Sequence, residues 1–202
     1  MTAEAVAAIR AGQLVVLPTD TVYGLCCDGY REPPFRRLAR LKGRSETMPV
    51  ALLAADLDLL LEAAPEARGR AAVVARALLP GPYTLVLPNP ARRFRWLCGT
   101  TPEAIGVRVP DLPPTSRAVV ERVGLVAATS ANAHGGPDPA RLEDVPPEIL
   151  DGCGALVDAG ELPGTPSTVV DLTGPEPRIL REGAVSSEEA LSAAAGALGR
   201  AR

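Results

Sequence analysis

The sequence predicts an α/β fold, a twisted mixed sheet flanked by helices, and three observations carry that reading. Short apolar runs bounded by Gly and Pro recur eight times along the chain. Segments of helical spacing separate most of them, the interleaving expected when helices cover a sheet. Two of the runs, 167–172 and 178–181, stand close enough together for an antiparallel hairpin, which points to a mixed sheet.

Taken in order, residues 3–11 read as a helix and 13–17 (QLVVL) as the first strand. Residues 34–42 set Phe35, Leu38 and Ala39 on one helical face with Arg36, Arg37 and Arg40 opposite, the pattern of a helix lying on a core. A strand at 49–54 (PVALLA) and a helix at 56–63 follow. In the helical stretch 66–79, Val73, Val74, Ala77 and Leu78 form the core stripe. Strands are expected at 83–88 (YTLVLP), 105–109 (IGVRV) and 125–129 (LVAAT), with a helix over 114–123 between the last two. Strands at 154–158, 167–172 and 178–181 and a helix at 186–198 complete the pattern, and most of the 21 prolines fall at segment ends.

At 202 residues, with no composition break and no internal repeat, the chain is expected to form one domain over 1–202. Apolar residues at 47% and charged residues at 22% exclude disordered and fibrous classes. Aromatics are only 3%, so the core must be Val, Leu, Ile and Ala, and rows of rings for stacking nucleic-acid bases are not expected. The net charge of -3 points the same way. The opening MTAEAVAAIR lacks a basic region followed by an apolar one, and no apolar run approaches the roughly 18 residues of a membrane span. A cytoplasmic protein without membrane contact is expected. Cys26, Cys27, Cys98 and Cys153 show no C-x-x-C spacing and read as small buried hydrophobes.

Two scarcities are informative. His134 is the only histidine and sits in the loop sequence NAHGGP, so metal-binding His pairs are absent and any catalytic dyad would have to run through it. An exposed loop histidine is the plainer reading. Against 20 arginines stands one lysine, Lys42, which hints at a place where a compact ammonium is required.

Glycine-rich phosphate loops of the common kinds are missing. Another anion site is offered by 31–44, where Arg31, Arg36, Arg37, Arg40, Lys42 and Arg44 against Glu32 sum to +5. The same charges also suit a helix C-terminus capped by Gly43. After the first strand, PTDTVYG (18–24) packs three hydroxyl groups and a carboxylate into a loop ended by Gly24. After the 125–129 strand, Thr129, Ser130 and Asn132 lie at a strand's C-terminal end, the ligand edge of open α/β sheets. Arg108 interrupts the apolar run IGVRVP and needs an anion partner, either a ligand carboxylate or an internal Asp or Glu.

In order and together, PTDTVYGL (18–25), LKGR (41–44), LPGPYTLVLP (79–88), IGVRVP (105–110), TSAN (129–132) and PSTVVD with ILREG (166–171, 179–183) resemble the Sua5/YciO/YrdC family. The resemblance spans about residues 10 to 183, leaving 184–202 as a C-terminal helix, and it is to the short bacterial form without a further domain. It implies a YrdC-like sheet with a concave, positively charged cavity. For the main branch it also implies a nucleotidyltransferase that makes threonylcarbamoyl-AMP and pyrophosphate from L-threonine, bicarbonate and ATP. The product would feed the tRNA threonylcarbamoyltransferase machinery.

By the same resemblance, Lys42 and Arg44 contact the nucleotide phosphates and serve catalysis, and Arg181 belongs to the nucleotide side. Arg108 holds the threonine carboxylate, Thr21 and Ser167 line the threonine pocket, and Ser130 and Asn132 stand between the two ligands on the ATP side. Mg²⁺ is expected to arrive on the phosphates, because no carboxylate cluster with ligand spacing is visible. Four positions depart from the family pattern: Ser45 and Met48 replace Pro and Asn, and His134 and Asp138 replace serines. Met48, His134 and Asp138 are therefore placed outside the site. Two other readings stay open. One is a YciO-like paralogue without synthase activity, against which KGR and SAN are both intact. The other is an RNA-binding module using the 31–44 charges and RRFRW (92–96), weakened by the acidic total.

Overall fold

The structure is a computed structural model that describes residues 1–65 and 68–200. Nine strands form one sheet: β1 Leu14–Pro18, β2 Tyr23–Asp28, β3 Ala51–Leu53, β4 Tyr83–Pro88, β5 Ala104–Arg108, β6 Val126–Ser130, β7 Cys153–Leu156, β8 Thr168–Asp171 and β9 Arg178–Arg181. Their spatial order is β7-β1-β2-β6-β3-β5-β4-β8-β9. The pairs β1/β7, β3/β5 and β4/β8 run parallel and the other five antiparallel, so the sheet is mixed as expected and β8/β9 is the expected hairpin. The helices are α1 Thr2–Arg10, α2 Glu32–Leu41, α3 Leu57–Ala63, α4 Arg70–Leu78, α5 Pro114–Val123, α6 Pro147–Asp151 and α7 Ser187–Arg200. The first two residues of the expected 66–79 helix, and residues 201–202 of the expected 1–202 domain, lie outside the described residues.

Several details differ from the sequence reading; in α4, for one, Ala71 and Ala75 are buried beside Val74 and Leu78 in place of Val73 and Ala77. Strand β2 was not expected, because YGLCCD carries no β-branched residue. It forms because it lies between β1 and β6 and buries both faces, with Val16 opposite Leu25 and Cys26 opposite Ala128. Gly24 is thus inside a strand, and the loop before it shrinks to residues 19–22. Helix α6 is a single turn started by Pro147, whose fixed φ suits a first helical position. The 49–54 strand is reduced to Ala51–Leu53.

Alternation along the strands divides the apolar residues between the two faces. Leu14, Val16, Leu25 and Cys27 join the larger cluster with Phe35 and Leu38 of α2, Val74 and Leu78 of α4, and Ala190 and Ala194 of α7. Val15, Leu17, Cys26, Leu53 and Val126 point the other way and pack against Ala5 and Ile9 of α1 and Val119 and Val120 of α5. That second face is covered over β7, β1 and parts of β2, β6 and β3. Over β3, β5, β4 and β8 it carries Ala51, Gly106, Thr84 and Val169, all of which line an open cavity.

Candidate functional site

The cavity has a volume of about 640 Å³, a size suited to small-molecule ligands. Its floor is a patch of small side chains brought together by the register: Ala51 pairs with Ala128, and Gly106 pairs with Val86. Four arginines face it, Arg44, Arg108, Arg178 and Arg181, against two carboxylates, Asp138 and Asp171. Hydroxyls from Thr84, Thr129, Ser130 and Ser167 fill much of the remaining wall.

The first wall is built by the end of α2. Gly43 takes φ +62, a conformation that glycine adopts without strain. Its N–H donates to Arg40 O at 3.1 Å and the Arg44 N–H to Ala39 O at 2.9 Å, the paired bonds that close a helix C-terminus. This reversal turns Lys42 inward and Arg44 toward the cavity. Lys42 is 4% exposed, and its ammonium donates to Ser130 O at 2.5 Å and to Asn132 Oδ1. Burial and the neighbouring Arg44 push its pKa down to about 8, with Asp138 working in the opposite direction. Asn132 Oδ1 also accepts from Ser130 Oγ at 2.7 Å, and the His134 N–H donates to Lys42 O at 3.1 Å, which ties the 131–138 loop to the helix end. Arg44 spends Nη2 on Pro49 O at 2.6 Å and Nη1 on Thr129 Oγ1 at 3.4 Å, while its buried Nε has no partner.

The second wall centres on Arg108 at the end of β5. Its Nη2 donates to Asp20 Oδ1 at 2.8 Å and to Thr21 Oγ1 at 3.2 Å, so the internal partner that the sequence left open is Asp20. Asp20 Oδ2 in turn accepts from the Asp111 N–H at 3.2 Å. Arg108 is 9% exposed, and its buried Nε has no partner. Burial pulls its pKa down and Asp20 opposes that pull, while Arg181 lowers it further, so two like charges stand close together here. Arg181 Nη2 donates to Ser167 O at 2.8 Å, and Ser167 Oγ pairs with Thr84 Oγ1 at 2.8 Å. At the rim, Asp171 accepts from Arg178 Nη2 at 2.7 Å and from Thr173 Oγ1 at 2.6 Å.

Of the residues expected in the site, Arg44, Arg108, Ser130, Ser167 and Arg181 line the cavity. Thr21, Lys42 and Asn132 instead stand one layer behind its surface, because their polar atoms are taken up by Arg108, Ser130 and each other. Arg181 joins Ser167 and Arg108. Asp138, which the sequence reading placed outside, lines the cavity, whereas Ser45, Met48 and His134 do not. Asp20 and Thr84 were missed. Asp20 lies in the hydroxyl-rich loop already singled out, but its partner is 88 residues away. All four cysteines are free, and burial raises the pKa of each thiol, including Cys98 at the cavity wall. Among the described residues, no group of three or more acidic, His or Cys side chains could hold a metal, and no helix is long and apolar enough to cross a membrane.

A mixed sheet with one face half open, floored by small residues and walled by arginines and hydroxyls, defines an α/β protein with a cavity of small-molecule size. The family model for Sua5, YciO and YrdC, described by the words "Telomere recombination", matches residues 7–183, and the chain belongs to that family. It is 38% identical over 188 residues to a putative threonylcarbamoyl-AMP synthase of Mycobacterium tuberculosis, covering 91% of this chain and 84% of that protein. Its structure is similar to that of Pyrococcus abyssi Sua5 complexed with L-threonine, with a TM-score of 0.86 and 34% identity. That alignment covers 94% of this chain and 56% of the archaeal one, so the chain spans little more than half of that protein's length. It is also similar to E. coli YciO, with a TM-score of 0.83, 26% identity and coverage of 94% and 92%.

Proposed function

We propose that this chain is a threonylcarbamoyl-AMP synthase, joining L-threonine, bicarbonate and ATP and releasing pyrophosphate. The observation that carries the reading is the gathering of cations at two places: Arg44 in the cavity wall with Lys42 buried behind it, and Arg108 with Arg181 in the wall. Cations held side by side in a partly buried site repel each other, and an anionic ligand turns that repulsion into binding energy. Two such places suit two anions, a polyphosphate at Arg44 and Ser130 and an amino-acid carboxylate at Arg108. Arg108 keeps Nε free of protein partners, and Asp20 and Thr21 fix the other edge of its guanidinium.

In the reaction, the threonine amine bonds to the bicarbonate carbon as one C–O bond breaks and water leaves, and an oxygen of the resulting N-carboxylated threonine attacks the α-phosphorus. The bond from that phosphorus to the bridging oxygen breaks, and pyrophosphate leaves with the electron pair. The protein's part is to position two anions and to offset their charge, work that needs no histidine base and no covalent nucleophile. Lys42, fixed by Ser130 O and Asn132 Oδ1 behind the wall, contributes charge at the phosphate end. Mg²⁺ fits as a passenger of the nucleotide, since the described residues offer no three-carboxylate cage. The labile adenylate would be consumed by a transferase acting on tRNA.

The RNA-module reading is disfavoured by RRFRW itself. Phe94 and Trp96 pack half-buried against the main core, edge to face with centroids 6.0 Å apart, so their faces are not offered for stacking. The test is pyrophosphate release with ATP, L-threonine and bicarbonate, each omitted in turn. Release that needs all three and is lost in Lys42→Ala supports the synthase. No release from a protein that still binds ATP by calorimetry would move the chain to a YciO-like role.

A further inference from the structure

Asp138 is the carboxylate at the cavity wall that lacks a cation. Asp171 is tied to Arg178, and Asp20, behind the wall, to Arg108. Asp138 forms no ion pair within 4.0 Å among the described residues, and its one hydrogen bond is a long one, 3.4 Å from Asn132 Nδ2. The nearby ammonium of Lys42 is turned to Ser130 O and to Asn132 Oδ1. The Asn132 amide therefore stands between the two charges, its oxygen toward the lysine and its nitrogen toward the aspartate. Asn132 Nδ2 also donates to Gly136 O at 2.5 Å, which holds the amide in this orientation and Asp138 at the phosphate end of the cavity.

A free polyphosphate drawn to Lys42 and Arg44 would meet this carboxylate as a like charge. A divalent cation removes the conflict, because Mg²⁺ takes oxygen ligands and is commonly held by one or two carboxylates together with substrate phosphates and water. We infer that Asp138 supplies a protein oxygen to the divalent cation carried by the nucleotide, so that the cavity accepts the metal–nucleotide complex and rejects the free nucleotide. The inference rests on the nucleotide reading above and adds a protein ligand to it. A serine at this position could neither repel the free nucleotide nor bind the cation with a charge.

The test is calorimetric titration of the full chain with ATP, in excess Mg²⁺ and in EDTA, for the wild type, Asp138→Ser and Asp138→Asn. Circular dichroism of each variant confirms that it is folded. In the wild type, Mg²⁺ should tighten ATP binding by about tenfold or more, the scale of one gained charge contact. In Asp138→Ser the metal-free affinity should rise and the Mg²⁺ gain should shrink toward unity, an opposite movement of the two numbers that general damage to the site would not produce. Asp138→Asn should behave like the serine variant. With Mn²⁺ as the probe, electron paramagnetic resonance should show weaker retention of the ion by the variant's ATP complex. An equal Mg²⁺ gain in wild type and Asp138→Ser overturns the inference while leaving the nucleotide reading in place. Absence of ATP binding by the wild type under both conditions defeats the nucleotide reading and this inference with it.

Discussion

One face of the sheet is closed over β1 and open over β5, β4 and β8, and on β2, β6 and β3 between them the change takes place within single strands. On β2 it is the step from Cys26 to Gly24, on β3 from Leu53 to Ala51, and on β6 from Val126 to Ala128. Each step is two residues, so both members of a pair point the same way. The larger residue packs under α1 and α5, and the smaller one floors the cavity. The cavity is therefore made by subtracting side-chain volume from a continuous sheet. The two halves also treat charge differently. Beneath α1 and α5 the contacts are mainly apolar, with the buried Ser116 of α5 as an exception, whereas the open half gathers arginines whose nitrogens are only partly satisfied by the protein.

The strongest way to break this contrast is Arg108→Ala. Arg108 and Asp20 are 11% and 10% exposed in their side chains, so removing one partner leaves a nearly buried charge uncompensated. The expected loss of stability is about 3–5 kcal/mol, read from the denaturant midpoint. The double variant Arg108→Met, Asp20→Leu should recover most of that loss while still failing to bind threonine by calorimetry. If the double variant is as unstable as the single one, the pair helps to build the wall, and the open half is less separate from the closed half than its packing suggests.

A smaller effect is expected from Lys42, whose buried ammonium is bonded to neutral oxygens and has no carboxylate partner among the described residues. Its pKa falls from an ordinary 10.5 to about 8 in the folded protein, chiefly through burial. Between those values the unfolded chain binds more protons than the folded one, so stability should rise with pH across the window from about 8 to 10.5. ATP affinity should move the other way, falling as pH passes about 8 and the charge is lost. Lys42→Met should flatten both slopes. A stability curve of unchanged shape in that variant would show that the ammonium is better solvated than its surroundings imply.

How legible this was in the sequence follows the same division. The strands carrying β-branched residues were readable from alternation and punctuation, and Arg108 stood out because a charge in IGVRVP conflicts with the run around it. Lys42 stood out by rarity, and LKGR forms the glycine-capped helix end that the sequence allowed, with Arg44 in the cavity wall. Strand β2 was hidden because its stability comes from neighbours on both sides and not from local propensity. The Arg108–Asp20 pair was hidden by sequence distance, and the recession of Lys42 and Asn132 behind Ser130 by their mutual hydrogen bonds, which no one-dimensional pattern encodes. Asp138 was set outside because a carboxylate repels a phosphate, and no one-dimensional pattern shows that its loop brings it to the cavity wall.

The smallest stability effect should come from filling the open half. Gly106 lies in the interior of β5 on the cavity floor, and a Cβ built there would meet Ala51 Cα and Thr84 Cγ2 at 3.8 Å, an ordinary contact distance. Its φ lies outside the left-handed range, and valine suits a pleated strand, so Gly106→Val should fold with a stability within about 1 kcal/mol of the wild type. The two methyl groups would rise into the cavity between the walls, and calorimetry should show loss of ATP or threonine binding, or both. Gly29 offers the opposing case, since a Cβ there would lie 2.9 Å from Leu52 Cδ1 and 3.0 Å from Leu125 O, where packing leaves no room. A Gly106→Val protein that is strongly destabilised would mean that the floor is under packing pressure after all. One that is stable and unable to bind would show that the missing volume at this position is kept for the ligand and not for the fold.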